Sequence, residues 1–138
     1  VVTLEQHSTI VKTVIAAVGT VATYLWGGWD AVLLALVVLA SLDYVSGVVA
    51  AWHRRELDSR VGSRGIARKV GMFVVVAVAN IIDQTGVVGE PILRTVTTWW
   101  YIGNEALSII ENLADIGVPI PERLLSALAS LRGEEAQK

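Results

Sequence analysis

Four side chains in this 138-residue chain interrupt long apolar runs with groups able to accept, donate or carry a proton: Asp43, Asn80, Asp83 and Glu105. A carboxylate in apolar surroundings either finds donors or takes up a proton, so these positions suit interhelical hydrogen bonding, contact with water, or ion passage. Covalent chemistry has little to work with. Cysteine is absent, which removes disulfides, thiol catalysis and cysteine metal sites. The two histidines, His7 and His53, are too separated to resemble a ligand pair. With no nucleophile and base pair, no metal cluster and no cofactor loop, the sequence leads us to expect neither an enzyme nor a cofactor or metal site.

The elements that must position these groups read as membrane spans. Of all residues, 54% are hydrophobic and 17% charged, and the mean hydropathy is +0.59, which is high for a soluble domain of this length. The expected fold is all-α: a single polytopic membrane domain over residues 1–138, with four transmembrane helices in two hairpins and a short C-terminal amphipathic helix. The spans are expected at 10–29, 31–52, 70–88 and 92–114, with turns at Gly27 to Asp30 and Gly86 to Pro91. Gly117, Pro119 and Pro121 stop the fourth helix, and 119–132 forms the amphipathic segment, with Pro121 in its first turn and Leu124, Leu125, Leu128 and Leu131 on one side. The polar residues Gly133 to Lys138 are expected to fray. The first apolar run has no basic preface and no small-residue cleavage site, so no cleavable signal is expected.

Charge distribution gives an orientation. Six of the eleven Lys and Arg residues lie in the segment 53–69: Arg54, Arg55, Arg60, Arg64, Arg68 and Lys69. This segment is expected to be a cytoplasmic loop whose cations rest on anionic lipid headgroups, each contributing about 1 kcal/mol near the surface. Both termini then lie in the cytoplasm. The opposite turns hold no Lys or Arg and carry Asp30 and Glu90. Gly62, Ser63 and Gly65 are interleaved with arginines, but no phosphate-loop pattern is complete. No global basic excess suggests nucleic acid, the formal net charge being −2.

Helical spacing places small and polar residues on shared faces. Asp43, Gly47 and Ala51 follow one line on the second helix, a stripe that admits a close neighbour. Thr9, Thr13, Ala16, Thr20, Thr23 and Gly27 form a similar stripe on the first. The fourth helix is the most amphipathic, with Arg94, Thr97, Thr98, Tyr101, Asn104, Glu105, Ser108, Glu111, Asn112 and Asp115 recurring every three or four positions. Three readings fit that face: water or pore lining, protein packing, or placement in the membrane interface. For Asp43 and Asn80, interhelical contact is the plainest reading, and Asp83 and Arg94 flank the same outer turn and could pair.

Three stretches together resemble bacteriophage holin family 4, the phage lysis and toxin-secretion holins. They are Leu42-Asp43-Tyr44 with Ser46-Gly47; Leu57-Asp58-Ser59-Arg60 with Gly65 and Lys69; and Tyr101-Ile-Gly-Asn-Glu105-Ala-Leu-Ser108-Ile-Ile-Glu111-Asn112-Leu followed by Gly117-Val-Pro119-Ile-Pro121. The resemblance implies a homo-oligomer in the bacterial inner membrane that permeabilises it, so that an endolysin or a toxin crosses as cargo. The family has no catalytic residues to transfer. It marks Asn104, Glu105, Ser108, Glu111 and Asn112 on its most distinctive helix, and Asp43 as its intramembrane acid. Two other classes fit the polar residues: a small ion channel or transporter subunit using Asp43, Asp83 and Glu105, and a membrane scaffold in which they are only structural.

Overall fold

A computed structural model describes residues 3–132. Five helices follow one another: α1 (Leu4–Trp26), α2 (Ala31–His53), α3 (Ser59–Thr85), α4 (Leu93–Asp115) and α5 (Glu122–Arg132). The described residues contain no strand, as the all-α expectation required. The expected fraying of 133–138 lies outside the described residues.

Each boundary has a local cause. Thr3 and Gln6 form a capping box at the start of α1, and Gly27, with φ of 78°, ends it. Asp30 then caps α2 by accepting the Leu33 N–H at 2.8 Å. At the far end of α2, Arg55 adopts the left-handed conformation and the Glu56 N–H returns to the Ala51 carbonyl at 2.9 Å. Asp58 accepts the N–H groups of Arg60 and Val61, at 2.6 and 2.9 Å, and starts α3 there. The segment expected as a loop over 53–69 is therefore mostly helical: the connection is only Arg54 to Asp58, and Arg60, Arg64, Arg68 and Lys69 ride on α3. Gly86 and Gly117, both left-handed, close α3 and α4. Pro121 stands just before α5, its carbonyl accepting from Leu124 and Leu125, rather than inside the first turn.

Contacts between the helices centre on α4. The chief contacts of α2 and α3 are with α4, and α2 meets α3 only sparsely. α1 buries none of its residues and leans on α3 through its C-terminal end. A small core joins Leu36 and Ala40 of α2 to Met72 and Val76 of α3, flanked by Trp26, Phe73, Tyr101 and Ile102. Gly62 and Gly65 let Tyr44 lie against α3, where a Cβ would meet its side chain at 3.3–3.4 Å. These glycines serve helix packing rather than a phosphate loop.

The surface is the reverse of a water-soluble one. Leu34, Val38, Leu42 and Val45 of α2, Val70, Val74 and Val78 of α3, and Val96, Trp99 and Trp100 of α4 all face outward. Asn80, Thr98 and Glu105 are buried. α1, α2 and α3 are each long and apolar enough to cross a membrane. Hydrocarbon is the solvent this surface suits, because water would leave so much apolar area without compensation.

Candidate functional site

The polar interior is built where α2, α3 and α4 meet. Asp43 of α2, Lys69 of α3 and Glu105 of α4 converge, with the Lys69 ammonium bonded to one oxygen of each carboxylate. All three side chains are less than one-fifth exposed, so the charges are shielded from bulk solvent. The second Asp43 oxygen accepts from Asn112 Nδ2 at 3.2 Å, and the same amide reaches Ser46 Oγ at 3.0 Å. Two acids against one cation leave the group with one formal negative charge. Such a cluster holds because each charge has a partner; removing any one strands the others in a low dielectric.

Local sequence explains the approach. Gly47 carries no side chain, and a Cβ placed there would stand 3.5 Å from Asn112 Nδ2, so the stripe Asp43–Gly47–Ala51 admits α4 at close range. Lys69 was expected among the headgroup contacts, and the structure corrects this. It lies at a spacing of three and four from Met72, Val76 and Asn80, the buried line of α3, which turns its ammonium inward. Arg60, Arg64 and Arg68 remain exposed. Arg54 pairs with Glu56 and Asp115, tying the connection before α3 to the end of α4; these carboxylates hold its guanidinium above the usual arginine value.

A second polar cluster closes the opposite end. Asn80 Nδ2 donates to the carbonyls of Tyr24 and Leu25, each at 3.0 Å, and Gln84 donates to that of Tyr24. Arg94 bonds the Trp26 carbonyl and reaches Asp30 at 2.8 Å. These donors satisfy the last carbonyls of α1, groups that a helix leaves unpaired. Trp26 Nε1 donates to the Phe73 carbonyl at 2.9 Å, completing the attachment of α1 to α3. Asp83 meets Arg94 by its main chain, accepting the N–H groups of Leu93 and Arg94 at 3.0 and 2.8 Å. The Arg94 guanidinium beside Asp30 holds that carboxyl below its ordinary value.

Along α4, Asn104 Nδ2 donates to the Trp100 carbonyl, Ser108 lines a cavity with Glu105, and Glu111 is exposed. Sequence reasoning missed Asp30, Gln84 and Trp26 as polar participants; Thr98, expected on the polar face of the fourth helix, is wholly buried with its hydroxyl on the Arg94 carbonyl. Among the described residues no buried side-chain nitrogen or oxygen lacks a hydrogen-bond partner, as a polar interior surrounded by hydrocarbon demands.

These features define a multi-pass helical membrane protein with charged residues gathered inside. Residues 20–133 match the model of the bacteriophage holin family, and the chain belongs to that family. It is 43% identical over 103 residues to a probable holin of Bacillus phage phi105, covering 75% of this chain and 76% of the phage protein. A 14.9 kDa protein of the nagH 3′ region of Clostridium perfringens is 39% identical across 96% of this chain and its own full length. The YqxH protein of Bacillus subtilis is 41% identical over 83% of this chain and 80% of its own. No solved structure matches the chain.

Proposed function

We propose that this holin assembles with copies of itself in the bacterial inner membrane and permeabilises it, so that an endolysin or toxin passes. One observation carries the reading. The chain places charged and amide groups where α2, α3 and α4 meet and covers its exterior with aliphatic residues, so an assembly can gain a polar interior without exposing charge to lipid.

α4 is the fourth span in this reading. Val96, Trp99 and Trp100 face outward while Thr98 and Glu105 are buried, the arrangement of a helix whose polar side meets protein and whose apolar side meets lipid. Arg54, Arg55 and Arg60 mark the cytoplasmic end, which puts both termini inside and the Gly27–Asp30 and Gly86–Pro91 turns outside. A single chain of this size cannot enclose a protein-sized opening, so passage of an enzyme requires many copies.

The test is induced expression in a bacterium with and without a co-expressed endolysin, following turbidity. Abrupt clearing only when both are present supports the proposal. Growth arrest with no endolysin-dependent clearing would instead favour a narrow ion channel, and no effect at verified membrane expression would favour a scaffold.

A further inference from the structure

α3 borders two concavities that share Lys69 and differ in how polar their walls are. Between α2 and α3 lies a cavity of about 740 Å³ whose walls are mainly apolar, among them Leu33, Val37, Val45, Val70, Phe73 and Val74. Between α3 and α4 lies one of about 500 Å³ whose lining includes Asp43, Arg68, Lys69, Asn104, Glu105 and Ser108. With α4 as the fourth span proposed above, the α4 side of the second lies within the membrane. Its α4 wall runs from Trp100 to Ser108, seven residues in from either end of a helix bounded by Leu93 and Asp115, or roughly 10 Å at 1.5 Å per residue.

Hydrocarbon can fill the first cavity but not the second. Each charged side chain facing lipid at such depth costs roughly 2.5–3.5 kcal/mol on insertion scales. A dry contact with a second copy would need charges complementary to this mixture. The span surfaces left exposed on α1 and α2 offer mainly Val11, Val14, Val18 and Leu34, Val38, Leu42, with Lys12 and the threonines of α1 but no carboxylate beyond its first turn. Water solvates acids, cations and amides together without a matched partner.

We infer that the α3–α4 cavity lines the aqueous path of the open assembly, with Asp43, Lys69 and Glu105 in its wall, and that the α2–α3 groove stays against lipid. This rests on the permeabilising function proposed above and names the surface that carries it.

The absence of cysteine makes the test direct. Single cysteines are placed in the polar cavity by Ser108→Cys and Gly71→Cys, the latter at a glycine whose Cβ would meet nothing within 4 Å. Ser41→Cys and Val74→Cys place them in the apolar groove. Each variant is first scored for endolysin-dependent lysis, and those that lyse are treated after triggering with a charged, membrane-impermeant thiosulfonate. The thiolate attacks the sulfenyl sulfur of such reagents, forming a mixed disulfide and expelling sulfinate, and it forms in water and not in hydrocarbon.

Labelling at Ser108→Cys or Gly71→Cys more than about tenfold faster than at Ser41→Cys and Val74→Cys is the expected result. Equal labelling of both sets overturns the assignment. So does silence at the cavity positions, and oxidative cross-linking there between copies would then identify the face as a dry subunit contact. If the unmodified chain fails to support lysis, the proposed function fails; if it supports lysis and the labelling pattern is wrong, only the assignment of the face fails.

Discussion

Asp83 and Arg94 are joined through the backbone: an Asp83 carboxylate oxygen accepts the Arg94 main-chain N–H at 2.8 Å, while the guanidinium turns to Asp30 and to the end of α1. One acid therefore starts α4 from a neighbouring helix, at the end where the helix dipole favours negative charge. α4 has no cap of its own, Ile92 being unable to supply one. Asp83→Ala is expected to lower stability by about 0.5–2 kcal/mol, the usual cost of losing a cap, with Asp83→Asn falling between. Thermal unfolding in detergent micelles measures both.

Lys69 supplies the positive charge between Asp43 and Glu105. Lys69→Met removes it and leaves two buried acids facing one another, at an expected cost of about 3–5 kcal/mol. Adding Asp43→Asn and Glu105→Gln removes the stranded charges and should recover much of the loss. Steady-state amounts of membrane-inserted protein and detergent unfolding would report the sequence of variants. Equal stability of Lys69→Met and the parent would mean that the ion cluster does not hold the three helices.

Gly27 allows α1 to dock. A Cβ at this left-handed position would come within 2.7 Å of Asn80 Oδ1 and 3.1 Å of Arg94 Nε, so Gly27→Ala combines backbone strain with displacement of two capping groups. We expect a loss of about 1–3 kcal/mol and increased protease access to the first turn. Gly19→Ala, in mid-helix with open space around it, serves as the control and should be neutral or slightly stabilising.

Asp30 gives a pH signature. Arg94 first, then the Leu33 N–H, hold its carboxyl below the ordinary value of 3.8. An acid with a depressed folded pKa contributes stability that is fully present above its unfolded value and disappears as pH falls through the folded one. The contribution is thus intact at neutral pH and is lost only below 3.8. Arg94→Gln should return the Asp30 titration toward 3.8, measurable by carboxyl-carbon NMR; a titration unchanged by the substitution would assign the shift to the helix cap alone.

Much of the architecture was legible because each signal was local. Gly27, Gly86 and Gly117 stand just past the ends of α1, α3 and α4, within the stretches read as turns or stops, and Asp30 lies in the first turn. Contacts between helices were not legible in the same way, since periodicity shows which face is buried but not against what. α1 has a regular stripe of Thr and small residues, yet every residue of it remains unburied. Lys69 looked like the end of a basic surface run because its neighbours are arginines. Its spacing from Met72, Val76 and Asn80 carried the opposite message, but using it required knowing that α3 begins at Ser59. That depended on the Asp58 cap, which the expected loop concealed.

The most direct test of the permeabilising role is size-resolved efflux from osmotically supported protoplasts expressing the chain, with a small dye and a large cytoplasmic enzyme followed together after triggering. The account predicts that both leave the cell on the same abrupt schedule. Loss of the dye with retention of the enzyme would contradict it, pointing to a narrow channel instead.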